Sequence, residues 1–298
     1  IVPLNFGGYE NTRIFDYEEA GIATKAMPFE DYLYIRSIAF MVESLVNGRP
    51  FDEIFQFAKQ LGMTKAYFLE ILRDNIDEAS SDIRTLFNNF LKDTKSELWD
   101  SEKDLLRHYK KDKNYNLLKE GKVGGNLIYK YKSQSLVFQK DQWIEFMKLK
   151  LKEIAQTKLG ILYVEDDIET QINEISLFCK FKLSGVLDGE LSSMSQKNNF
   201  TYDVLSWIDR SKDNKKLKDF KLKKTITYSF EFSKDQEINR ADVFKRYGKD
   251  VNGLSKIVTR IGNLESQYRK IRSIEDDYLR DIYKDLRGEN FVRYALVN

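Results

Sequence analysis

Stretches with a helical apolar period alternate with short polar breaks along this chain, and the breaks set most of the expected elements. Pro28 suits the first position of a helix, where a missing N–H leaves nothing unsatisfied. Glu30 and Asp31 follow in the first turn, at the favourable end of the helix dipole. Ile35, Ile38, Val42 and Leu45, with Tyr34 and Met41 beside them, then make one apolar stripe, which "NGRP" at 47–50 closes. "PFDEIFQFAKQLG" predicts a short second helix stopped at Gly62, and Thr64 caps a third that runs to about Ile76. From Glu78 to His108 the pattern reads as one long helical stretch, with Ile83, Leu86, Phe87, Phe90 and Leu91 on one side.

Further on, "NLIYKYK" has strand character, but Leu127, Tyr131, Ser135 and Phe138 share a helical face, and the helix reading is favoured. "DQWIEFMKLKLKEIAQTKLG" is strongly periodic, with Asp141 as its expected cap and Gly160 as its end. A second such stretch covers 166–187 and carries Cys179 in its apolar part. Residues 188–200 are polar and read as a loop, and "YDVLSWI" resumes helix. Between 210 and 224 the chain holds eight cations and two acids. "TITYSFEF" at 225–232 alternates and is the best strand pattern present. Two helical stretches follow, and a short extended return after them predicts a small unit of the winged-helix kind. "SIEDDYLRDIYKDLRG" predicts a last helix. Residues 1–28, broken by Pro3, Gly7, Gly8 and Gly21, read as loop with room for a short strand or a turn of helix.

The expected fold class is therefore mainly α, a multi-helix domain with a small C-terminal α/β, winged-helix-like unit. The expected domains are an extended segment at 1–28, a helical domain at 29–187, a polar and basic linker at 188–224 and a helix-and-strand unit at 225–298. Three prolines in 298 residues and 32% charged residues fit this picture. Lys plus Arg is 49 against 47 for Asp plus Glu, so the net charge of +2 gives no global pull toward nucleic acid or an anionic membrane. No apolar run is long enough to span a bilayer; with the charge this balanced as well, neither a membrane nor nucleic acid is the expected partner. A lone Cys179 and a lone His108 cannot make an internal disulfide, a zinc site or an iron–sulfur site. A cytoplasmic setting fits that cysteine count. The start at Ile1 rather than Met fits a piece of a longer product.

Few residues point to chemistry of their own. His108, in "LLRHYKK", has the type of a general base, but no nucleophile motif accompanies it, and a surface helix histidine is the simpler reading. Cys179 lacks a polar setting in sequence and reads as a small buried residue. Acid clusters occur in "FDYEEAG", "PFEDY", "VEDDIE" and "IEDDY". Three of them sit at expected helix starts, where acids serve the dipole. Asp16, Glu18 and Glu19 lack that explanation. The Gly7–Gly8 pair lacks the spacing of a phosphate loop. The basic run at 210–224, with Phe220, Tyr228, Phe230 and Phe232 as stacking surfaces, has the composition of a nucleic-acid platform, although a solvated lysine linker explains it as well.

Residues 2–36, "VPLNFGGYENTRIFDYEEAGIATKAMPFEDYLYIR", resemble the segment just after the catalytic core of cobalamin-binding radical SAM proteins. Phe6 to Tyr9 matches an aromatic-Gly-x-Tyr element there, and Met27 to Tyr32 matches a helix start. Residues 121–137 look like the helical tail of the same proteins. The resemblance implies a parent enzyme with a four-iron cluster and S-adenosylmethionine in a barrel and cobalamin in an N-terminal domain. The cluster's C-x-x-x-C-x-x-C motif and the cobalamin ligand loop are absent here. No catalytic, cofactor-binding or metal-binding residue carries over, and no cofactor is expected in this chain itself. The expected function is thus an accessory helical domain. It packs on the missing barrel and the cobalamin domain of the same protein, and helps shape the substrate site without being catalytic alone. The alternative is a non-enzymatic nucleic-acid or protein-binding module built on residues 210–262. A free-standing enzyme using Asp and Glu with a magnesium-type ion is the weakest of the three, because no spacing supports it.

Overall fold

Local capping fixes most helix boundaries. In the computed structural model, which describes residues 1–9, 12–120, 123–188, 194–209, 215–261 and 263–274, Thr64 Oγ1 accepts from the Tyr67 amide at 3.1 Å, as its position predicts. The helical part runs through α1 (Phe29–Met41), α2 (Asp52–Gln60), α3 (Lys65–Asp74), α4 (Ser81–Ser96), α5 (Glu102–Tyr109), α6 (Asp112–Lys119), α7 (Leu127–Val137), α8 (Lys140–Leu159), the single turn α9 (Leu162–Glu165) and α10 (Ile168–Leu183). Ahead of them lies an antiparallel hairpin, β1 (Val2–Tyr9) and β2 (Thr12–Glu18), where the sequence pattern suggested loop. Its alternation is masked by Gly7 and Gly8, and by a register shift between Pro3 and Asn5.

Several expectations need correction. Ile35 is 56% exposed, whereas Ser37, Phe40 and Met41 are buried. The helix passes into a π-helical turn at Val42–Val46, which rotates the apolar stripe. The stretch from 78 to 108 is broken after Ser96, and Ser101 caps a new helix by accepting from the Asp104 amide at 3.2 Å. Asp141 lies inside the first turn of α8, and Gln139 holds the cap position. Pro28 likewise occupies the cap of α1 rather than its first turn. The helix reading of 127–137 holds, with Asn126 capping α7.

The linker expected over 188–224 is part of the α/β unit. It supplies β3 (Gln196–Tyr202), α11 (Val204–Asp209) and the start of β4 (Lys221–Glu231). β3 looks polar because it is an edge strand with only Phe200 and Tyr202 fully turned inward. After β4 come α12 (Lys234–Tyr247), α13 (Val251–Arg260) and β5 (Lys270–Ser273), giving the antiparallel order β3-β4-β5. The mainly α class with a small α/β unit stands as expected. The last expected helix lies outside the described residues. Among the described residues, no helix is long and apolar enough to cross a membrane.

One hydrophobic core joins the two parts. Phe178 of α10 meets Phe200, Tyr228 and Phe230 of the sheet edge-on, with ring centroids 5.4–5.9 Å apart. Beneath the turn after α10, the Arg240 and Arg269 guanidiniums lie 4.1 and 4.4 Å from the Phe232 ring. They donate to the carbonyls of Gly185 and Ser184, each at 2.7 Å, and so tie the turn to the sheet. Leu105, Tyr109 and Leu118 form a separate satellite core, with Ile1, Phe15, Trp99 and Leu106 against it. This smaller unit consists of α5, α6 and the hairpin. Arg13 of β2 clamps it together. Its guanidinium donates to the carbonyls of Tyr109 (2.9 Å) and Lys110 (2.7 Å) and to Asp112, and lies 4.3 Å from the Tyr115 ring centroid.

Candidate functional site

A cleft of about 250 Å³ opens where the satellite unit meets the main body. Asp93 and Glu97 sit four residues apart at the end of α4, so they share a face. Carboxylates at a helix C-terminus oppose the dipole, and each here is held by a cation from another helix. Lys130 Nζ of α7 is 3.1 Å from Asp93 Oδ2, and the Tyr131 hydroxyl donates to the same oxygen at 2.8 Å. Arg36 of α1 donates to Glu97 Oε1 at 3.1 Å. Burial, helped by the charge of Asp93, pushes the Glu97 carboxyl above the usual range despite Arg36.

The opposite wall belongs to the satellite unit. Trp99 is fixed through its backbone, donating to the Ile1 carbonyl at 2.9 Å and accepting from the Ile1 backbone nitrogen at 2.8 Å. Its ring meets the His108 imidazole with centroids 4.8 Å apart, and Tyr109 packs beside both. Burial, and then Lys111, hold the His108 pKa below its ordinary value, so the imidazole is neutral at pH 7. The Trp99 indole N–H is buried and has no hydrogen-bond partner among the described residues. The cleft thus offers two charge-balanced carboxylates on one side and an aromatic wall on the other.

His108 is the one sequence candidate that this arrangement uses. It remains exposed on α5, as the surface reading requires, yet lines the cleft. Cys179 is fully buried, as expected, and its Sγ lies 3.0 Å from Glu53 Oε2. Burial raises its pKa, and the nearby Glu53 charge adds to this, so the group is held as a thiol. Glu30 and Asp31 serve the first turn of α1. Asp166 and Asp167 pair with Lys218 and Lys221, each at 3.0–3.1 Å, which also engages two lysines of the basic run. Asp16 and Glu18 lie exposed on β2, and Glu19 is exposed just beyond it. "IEDDY" falls outside the described residues after Ile274, as do residues 210–214 of the basic run.

The aromatic side chains offered as stacking surfaces point the wrong way. Tyr228, Phe230 and Phe232 are core residues, and Phe220 packs against the same core. Buried rings cannot stack on bases, so the basic run lacks the interleaved aromatics that a single-strand platform needs. Among the described residues no group of three His, Cys, Asp or Glu side chains is placed to hold a metal ion.

Asp93, Glu97, Trp99, Lys130 and Tyr131 escaped the sequence reading. The spacing of Asp93 and Glu97 was a usable signal, but their cations lie on α1 and α7, far off in sequence. In comparison with known proteins, no family model, no curated protein and no solved structure matches this chain.

Proposed function

We propose that this chain is the helical accessory region of a cobalamin-dependent radical SAM enzyme, packed on the barrel and shaping the substrate site without being catalytic alone. In this reading the four-iron cluster, S-adenosylmethionine and cobalamin belong to the barrel and the cobalamin domain of the same cytoplasmic protein. Those two domains are this chain's partners. The reading is carried by the resemblance over residues 2–36. Its two matched elements fall on defined structure, Phe6–Tyr9 on the second half of β1 and Met27–Tyr32 at the entry to α1. The hairpin gives further support. Only one of its faces packs on the satellite unit, which leaves Tyr9 70% and Ile14 54% exposed for a neighbouring domain to cover.

Sequencing the coding frame upstream of Ile1 tests the proposal. A C-x-x-x-C-x-x-C motif in that frame is the expected result. A frame without any such motif would overturn it.

A further inference from the structure

The geometry points to the cleft between α4, α7 and the satellite unit as a binding site for a small uncharged ligand that carries hydroxyl groups on a single ring. This is read from the cleft alone and holds whether or not a barrel adjoins it.

Charge decides against an ion. Asp93 is matched by Lys130 and Glu97 by Arg36, so the body wall has no net charge left to attract one. Hydrogen-bonding capacity nevertheless remains. Among the described residues, Asp93 uses only Oδ2 and Glu97 only Oε1 in hydrogen bonds, leaving one oxygen of each carboxyl as an acceptor. On the donor side, Lys130 lines the cleft and, among the described residues, spends one of its three N–H groups on Asp93, which leaves donors to spare. A hydroxyl group donates and accepts at once, and so suits a site with both functions left over. The faces of Trp99, His108 and Tyr109 complement the apolar edge of a ring. At about 250 Å³ the cleft lies at the small end for ligand sites, which fits one ring rather than a nucleotide.

The two walls also belong to different cores, so the cleft can change width. The satellite unit joins the body through residues 97–101 and 123–126, and also through 19–28, which lead from the hairpin into α1. In the second connection Gly124 and Gly125 both adopt left-handed φ values, 75° and 77°. Consecutive glycines at the end of a separately packed unit are suited to absorb a hinge rotation.

Tryptophan fluorescence tests the proposal in the protein as it stands. Trp143 and Trp207 are 0% and 1% exposed, so Trp99 is the responsive reporter. D-glucose, D-xylose and myo-inositol serve as uncharged probes, with tetramethylammonium and acetate as ionic ones. The expected result is a saturable change with at least one uncharged probe below roughly 10 mM, one decade above millimolar affinity, and none with the ions. Glu97→Gln is expected to weaken that binding at least fivefold while retaining the native circular dichroism. Trp99→Phe, followed by ligand-observed NMR, is expected to weaken it likewise, and decides the matter if Glu97→Gln does not fold. Three results would overturn the proposal: no saturation with any uncharged probe, saturation with an ionic probe instead, or unchanged affinity in the folded variants.

Discussion

Lys182 Nζ lies 2.7 and 2.6 Å from the two carboxylate oxygens of Glu53, inside the core where α2 meets α10. Both side chains are nearly inaccessible to solvent. Cys179 donates to the same carboxylate, and the lysine also sits 5.7 Å from the Tyr268 ring. The Glu53 charge keeps the lysine protonated despite its burial. Removing one partner leaves an uncompensated buried charge, which costs far more than the pair contributes. Glu53→Ala is therefore expected to lower stability by about 3–5 kcal/mol in urea unfolding. Lys182→Met combined with Glu53→Gln should recover a large part of that loss, because no buried charge then remains unpaired.

His108 is the only histidine, so its imidazole protons report on one site in an NMR titration. The expected midpoint lies below the ordinary value, about 6.5, because partial desolvation and then the Lys111 charge disfavour the charged ring. The unfolded chain then binds more protons than the folded one between the two midpoints, so stability rises with pH across that window and falls on acidification. His108→Gln should flatten the slope there. An unshifted midpoint would contradict the placement against Trp99.

Glu97 gives the opposite sign. Its folded pKa is raised by burial, so the folded state holds its proton to higher pH than the unfolded state does. Stability contributed by that proton is present at low pH and is lost as pH rises through the folded value. Glu97→Gln mimics the protonated form and keeps an acceptor for Arg36. Its melting temperature relative to the native protein is expected to improve steadily from acidic to neutral pH.

Gly253 sits in α13 where the chain comes back against the end of α12. A Cβ there would lie 2.7 Å from the Gly248 carbonyl oxygen and closer still to that of Tyr247. Both are backbone atoms, so neither can swing aside. Gly253→Ala is expected to destabilise by about 3 kcal/mol through overpacking, measured by thermal or urea unfolding. The conventional gain from a better helix former should not appear.

Arg13 holds the hairpin to the end of α5 through two carbonyls and Asp112. Losing these charged hydrogen bonds removes roughly 1.5–3 kcal/mol of local stability. Arg13→Ala should therefore speed hydrogen exchange of the β2 amides tenfold or more, while amides of α8 and α10 keep their protection.

The elements that were legible in the sequence are those whose signals are local. Thr64 caps the helix it was expected to cap, and the strand expected at 225–232 falls on β4, although Tyr228, Ser229 and Phe230 are buried in succession rather than in alternation. The misreadings share a cause in tertiary placement. Nothing local tells that Ile35 faces solvent, because the π turn that redirects the stripe lies about two turns further on. β3 hides among polar residues because its outer face is wet and its strand is an edge. The cleft was the least legible feature, since Asp93 meets Lys130 and Tyr131, and Glu97 meets Arg36, only after three helices have packed. Single residues such as His108 could be named, but what stands against them could not.

The rings around Phe178 settle how this molecule can be divided. Phe178 belongs to the helical part, yet its neighbours Phe200, Tyr228 and Phe230 all come from the sheet. A truncation at residue 187, where composition suggests a natural cut, would strip the cover from α10 and leave a greasy stripe to self-associate. The shortest soluble helical piece therefore has to keep the sheet. The part that can be trimmed with least harm is the N-terminal hairpin, which packs on the small core of α5 and α6 rather than on the main one.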